Sequence, residues 1–209
     1  MLLFGHVGIT VGLVRVCDVL GSIDKPLGSC SPGPSSESHL TVPKRLLPLC
    51  RRIKGIRRQL GSIDYRLVLI GALLPDILDK PSWLVAFSDV FPSGRAYGHT
   101  FLLNMVLFVC GLILIKYKQS WLLIISLGSM LHLILDQMWK NPVVLWWPLL
   151  GPLPSVEITG WMSGIIHRLF SNPGIYIPEI VGLIIILLIG WRVITRKKTI
   201  NFIRTGAID

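Results

Sequence analysis

Apolar residues in this chain gather into five stretches, Leu2–Leu20, Leu67–Leu84, Phe101–Ile115, Trp121–Leu135 and Ile175–Trp191. Such runs have two homes: the interior of a helical bundle, or a bilayer, where a crossing helix needs about 20 apolar residues, with a range of about 17–25. The other residues favour the bilayer. The 209-residue chain is 52% hydrophobic and 15% charged, yet carries 21 Lys+Arg against 11 Asp+Glu. Disorder requires low hydrophobicity. A nucleic-acid binder this basic is not usually this apolar, so no nucleic-acid partner is expected. Cys17, Cys30, Cys50 and Cys110 have neither ligand spacing nor the density of a disulfide scaffold. The expectation is an all-α polytopic membrane bundle of about five transmembrane helices, forming a single domain over 1–209.

The connections differ in chemistry. Residues 21–42 are rich in Ser, Pro and Gly and read as a flexible loop. Residues 43–60 hold seven Lys/Arg, with Leu46, Leu49, Cys50, Ile53, Ile56 and Leu60 at helical spacing, the pattern of a basic amphipathic helix lying on anionic headgroups. Residues 192–209 read as a basic cytoplasmic tail. With the N-terminus outside and five crossings, 16 of the 21 basic residues fall inside, as the positive-inside rule requires. Trp83, Trp139, Trp146, Trp147 and Trp161 then mark the outer boundary, and Trp121 and Trp191 the inner one. This describes an integral membrane protein, in contact with membrane lipids, whose C-terminus is cytoplasmic.

Ionisable residues inside apolar segments are functional candidates by default. They are His6, Asp76, Asp79, His99, His132 and Asp136, and the five-crossing topology brings all six to the outer face. Asp76 and Asp79 are spaced i,i+3 and His132 and Asp136 i,i+4, so each pair shares a helix face. Pro75 frees the Gly71 carbonyl beside them, and Gly8 and Gly12 allow the first helix to approach a neighbour closely. Imidazole and carboxylate together suit a divalent metal, zinc first and manganese as the alternative. Six donors exceed one tetrahedral ion, so one or two ions are possible. Asp79 or Asp136 can instead serve as general base, and Arg95, four residues before His99, can grip a substrate phosphate. His39 and His167 sit in polar loops and read as solvated.

His6, Gly71-Ala-Leu-Leu-Pro-Asp76-Ile-Leu-Asp79-Lys80, Gly94-Arg95-Ala-Tyr-Gly-His99-Thr100, Leu131-His132-Leu-Ile-Leu-Asp136 and Leu145-Trp-Trp-Pro-Leu-Leu-Gly151 follow one another along the chain. This succession resembles the YdjM-like family of membrane-bound metal-dependent hydrolases, some of them LexA-regulated inner-membrane proteins. The resemblance spans roughly residues 1–12 and 62–154. It implies a helical, membrane-embedded hydrolase of a prokaryotic plasma or inner membrane with His and Asp metal ligands. A distant similarity to zinc-dependent phospholipase C and P1-type nucleases implies phosphoester chemistry. Many members have Ser where this chain has Thr100, which keeps the hydroxyl.

The expected function is therefore metal-dependent hydrolysis of a phosphoester or phospholipid-like substrate at the outer leaflet. A non-catalytic membrane component, whose His/Asp cluster is structural or stores metal, is the alternative.

Overall fold

The computed structural model describes residues 3–22, 63–85, 95–153, 167 and 170–208. The regular elements there are helices: α1 (Leu3–Ser22), α2 (Tyr65–Val85), α3 (Phe101–Ile115), α4 (Trp121–Leu135), the short α5 (Pro142–Leu145), α6 (Pro173–Thr195) and α7 (Thr199–Thr205). Single 3-10 turns at Tyr97–His99 and Met138–Lys140 precede α3 and α5. Most of the 21–42 loop, the 43–60 amphipathic stretch, and His39 lie outside the described residues.

The described residues form an all-α bundle, but not one of five crossings. Among the described residues, only α6 is long and apolar enough to cross a membrane. Its 23 residues reach about 34 Å at 1.5 Å each, against a hydrocarbon core of about 30 Å. Ile180, Leu187, Leu188 and Ile194 lie outward on it, each more than half exposed. By contrast, α3 and α4 end after 15 residues, about 22 Å. Backbone turns stop both of them, and Lys118 and Gln137 just beyond adopt left-handed φ. Charge interrupts α2, which carries Arg66, Asp76, Asp79 and Lys80, and α1 carries His6, Arg15 and Asp18 within 20 residues. Sorting the charges onto two faces requires five crossings, and one crossing does not supply it.

Two close helix crossings set the architecture. On α1, a Cβ at Gly8 would lie 2.0 Å from the Gly182 carbonyl oxygen of α6, so the two backbones touch. Between α2 and α4, a Cβ at Gly71 would lie 2.5 Å from the Ile125 carbonyl oxygen, with Gly128 beside it. Val7, Val11, Val68, Ile124 and Val193 fill the interior between these crossings. Residues 199–208, read from sequence as part of a tail, fold back under α2. There the Tyr65 N–H donates to the Gly206 carbonyl at 3.0 Å, the Arg66 guanidinium donates to the Ile203 carbonyl at 2.7 Å, and Ile208 is buried.

Candidate metal centre

The C-terminal half of α2 provides one wall of the cluster. Pro75 and Asp79 form a shelf for the 3-10 turn Tyr97–His99, where a Cβ at Gly98 would lie 2.5 Å from the Pro75 carbonyl oxygen. Only glycine permits that approach. The turn brings two backbone N–H groups and an imidazole onto one carboxylate. Asp79 accepts from the Ala96 N–H at 2.7 Å, from the Gly98 N–H at 2.7 Å and from His99 Nδ1 at 2.6 Å. With Nδ1 donating, His99 Nε2 carries the lone pair.

Across the cluster, the Gly71–Gly128 crossing draws α4 against α2. His132 Nδ1 donates to the Ala72 carbonyl at 2.7 Å, one residue on from the carbonyl that Pro75 leaves without its helical donor. The lone pair of His132 is therefore also on Nε2. The two Nε2 atoms face each other at 3.3 Å. Two lone pairs at that distance repel unless a cation lies between them, and two Zn–N bonds of about 2.0–2.1 Å at a tetrahedral angle span about 3.3–3.4 Å. The nitrogen pair thus fits a shared divalent ion.

The remaining donors surround this pair. Asp76 Oδ1 is 3.8 Å from His99 Nε2 and 4.0 Å from His132 Nε2, while its other oxygen takes Lys80 Nζ at 2.8 Å. Asp136, at the C-cap of α4, places Oδ2 at 3.8 Å from His99 Nε2 and 2.6 Å from the Arg95 guanidinium. Its Oδ1 is 3.1 Å from His6 Nε2. Burial alone would push the Asp136 carboxyl up, but the hydrogen bond from His6 and the Arg95 charge outweigh it and hold it well below the usual carboxylate range. His6 enters from α1 and stacks on His132, with ring centroids 3.9 Å apart. Its Nδ1 is buried and has no hydrogen-bond partner among the described residues.

Among the described residues two groupings can hold an ion, Asp76 with His99 and His132, and His6 with His132 and Asp136. Asp79 is in neither, because its hydrogen bonds turn it toward the back of His99. His167 lies apart and exposed, 3.5 Å from Ser171 Oγ.

One supporting residue escaped the sequence reading. Asn104 of α3 is buried, donates to the Gly98 carbonyl at 3.2 Å and the Thr100 carbonyl at 2.9 Å, and accepts from Ser129 Oγ at 2.5 Å. It ties the turn bearing His99 to the helix bearing His132. Its signal was a lone amide in the otherwise apolar run FLLNMVLFVCGLILI.

The family model described as "YdjM inner membrane protein" matches residues 35–199. That interval takes in α2 through α6 and the basic 43–60 stretch, and leaves His6 outside; the resemblance read from sequence was placed on other bounds. No curated protein and no solved structure matches the chain. On a match covering well over half its length, the chain belongs to the YdjM inner membrane protein family.

Proposed function

We propose that this protein is a membrane-associated, metal-dependent hydrolase acting on a phosphoester or phospholipid-like substrate. The observation that carries the reading is the pair of imidazole Nε2 atoms at 3.3 Å with two carboxylates beside it. A divalent ion held there would polarise a phosphoryl oxygen and lower the pKa of water. The nitrogen and oxygen donors favour zinc, with manganese second.

Asp76, His99 and His132 would hold the ion. Asp79 would fix the tautomer and angle of His99 from behind, as carboxylates behind metal-ligating histidines do. Asp136 is the remaining carboxylate, kept ionised by His6 and Arg95, and would accept a hydrogen bond from the attacking water and orient it. One ion is favoured over two. Both donor groupings use His132, its Nδ1 is committed to Ala72, and one imidazole nitrogen serves one ion. The family's description supports the prokaryotic inner membrane as the location, and α6 supports membrane attachment.

Elemental analysis of detergent-purified protein tests the reading. Wild type should carry one zinc per chain, and His132→Ala and Asp76→Ala should carry almost none while keeping the wild-type circular dichroism. Hydrolysis of a phosphodiester substrate should stop with chelator and return with Zn²⁺ or Mn²⁺. A metal-free wild type would refute the proposal.

The second reading, a structural or metal-storing cluster, is favoured by one observation. Lys80, Arg95 and the two backbone N–H groups on Asp79 already neutralise or satisfy the three carboxylates. Stoichiometric metal with no turnover would select it.

A further inference from the structure

The last turn of α6 and the short α7 form a basic corner. Between Arg192 and Arg204 the chain has five cations, Arg192, Arg196, Lys197, Lys198 and Arg204, and no acid. Among the described residues, none of these five side chains is in an ion pair or a hydrogen bond. The dipole at the end of α6 supplies only about half a negative charge. Like charges gathered in this way repel one another unless an anion lies beside them.

The corner is built rather than loose. Lys197 turns the chain with φ 53°, and α7 comes back against the start of α2. Phe202 packs on the core cluster that contains Val193 and Ile208. The Arg66 guanidinium and the Tyr65 N–H pin the segment through the carbonyls of Ile203 and Gly206. Gly206 has φ +71°, and a Cβ there would collide with the Asp64 carboxylate, so glycine alone closes the contact.

The surface beside the cations is apolar. Trp191, Ile194, Ile200 and Ile203 are exposed, Trp191 by 71% and Ile200 by 70%. Cations interleaved with exposed Trp and Ile suit a lipid interface, which takes the charges at its phosphates and the apolar groups below them. A nucleic acid in water would leave the isoleucines uncovered. The placement agrees. Gly5 lies beside Glu179, Gly8 beside Gly182 and Gly12 beside Ile185, so α6 runs in the direction of α1 and ends away from His6. A helix that crosses a bilayer carries its charged last turn into a headgroup layer.

We propose that the α6–α7 corner is a seat for anionic lipid headgroups, with the five cations on the phosphates and Trp191, Ile194, Ile200 and Ile203 entering the interface. The proposal rests on α6 crossing the membrane and is independent of metal at the cluster.

Native mass spectrometry of the full chain, released from equimolar micelles of phosphatidylglycerol and phosphatidylcholine, tests it. Wild type should retain phosphatidylglycerol over phosphatidylcholine by about fivefold or more, the worth of a single cation at an anionic surface. Joint Arg196→Gln, Lys197→Gln and Lys198→Gln should bring the ratio near one with unchanged circular dichroism. Joint Arg196→Lys, Lys197→Arg and Lys198→Arg should keep it, as should Lys140→Gln beyond α4. Gly206→Val keeps every charge but undocks α7, and should lower the ratio about twofold or more, because a loose segment must be ordered on binding. A wild-type ratio near one, or a wild-type ratio in the glutamine variant, overturns the seat. An unchanged ratio in Gly206→Val overturns the built corner in favour of a loose basic tail. Displacement of the bound lipid by chain-free glycerophosphoglycerol at equal concentration overturns the lipid in favour of a soluble phosphodiester, and displacement by short single-stranded DNA does so in favour of a nucleic acid. Release of the protein from vesicles by alkaline carbonate overturns the crossing of α6, and the seat with it.

Discussion

Asp79→Asn makes the sharpest test of how the cluster is held. Among its partners, the native carboxylate accepts from the Ala96 N–H, the Gly98 N–H and His99 Nδ1. A carboxamide has one oxygen, and its NH2 can only donate. If the NH2 takes the Oδ1 position, the Gly98 N–H loses its acceptor and His99 keeps only a neutral partner. If it takes the Oδ2 position, the Ala96 N–H is orphaned and the NH2 donates to His99 Nδ1. The His99 proton then moves to Nε2 and occupies the lone pair facing His132. Either orientation strands one buried N–H, at about 1–3 kcal/mol of stability. Either also degrades the ligand, and loss of such a supporting carboxylate costs about 10–100-fold in metal affinity, roughly 1.4–2.7 kcal/mol. Denaturant unfolding followed by circular dichroism measures the first effect, and zinc competition against a chelating dye measures the second. A variant that loses stability yet binds zinc within about twofold of wild type would show that Asp79 braces only the turn, and the argument from the His99 tautomer would fail.

Four other outcomes follow from the packing. Gly71→Ala should destabilise by up to about 2 kcal/mol, because its Cβ meets the Ile125 carbonyl and overpacking (about 1–3 kcal/mol) is offset in part by the helix-propensity gain of about 1 kcal/mol; Gly190→Ala, with nothing within 4 Å among the described residues, should be neutral or stabilising in the same thermal melt. A double-mutant cycle between Asn104→Ala and Ser129→Ala should show about 1 kcal/mol of coupling, and additive effects would contradict the hydrogen bond. Glu179→Gln weakens the acceptor of the Phe4 N–H, a 2.9 Å contact, and should speed amide exchange at the start of α1 with little effect on α2. The Arg66 side-chain hydrogen bond holds the Asp64 carboxyl below its usual range, so its contribution is present above the unfolded value of about 4 and is lost as pH falls through the lower folded value. The protection of the Tyr65 and Gly206 amides against exchange should fall on that acid limb, and Arg66→Gln should reduce the pH dependence to the part that the backbone N–H groups of Arg66 and Leu67 carry.

The helices were more legible than their surroundings. Phe101–Ile115 and Trp121–Leu135 are apolar runs bounded by polar turns, and they coincide with α3 and α4 residue for residue. What those runs pack against is another matter, since a helix covered by protein and one covered by lipid draw on the same residues. Length separates α6 from α3 and α4, and charge separates it from α2, and a count of apolar stretches ignores both. At the cluster, the i,i+3 spacing of Asp76 and Asp79 was visible, but their division of labour was not. It depends on where the Ala96–His99 turn lands, which depends on the missing Cβ of Gly98. Asn104 and Glu179 stood in plain view as single polar residues in apolar helices, and the buried hydrogen bonds of the first and the partly buried one of the second are not revealed by spacing alone.

The contact of Gly8 with Gly182 makes the anchor and the cluster one piece of machinery. With backbone on backbone and no side chain between them, α1 cannot rotate about its axis without separating from α6, and His6 sits only two residues from that contact. The azimuth of the imidazole is thus dictated by α6, the one described helix long and apolar enough to cross a membrane. A chimera that replaced α6 with a generic apolar 23-mer would still be tethered, but the branched side chain now at position 182 would push α1 aside and carry His6 away from Asp136. The anchor is not an interchangeable part.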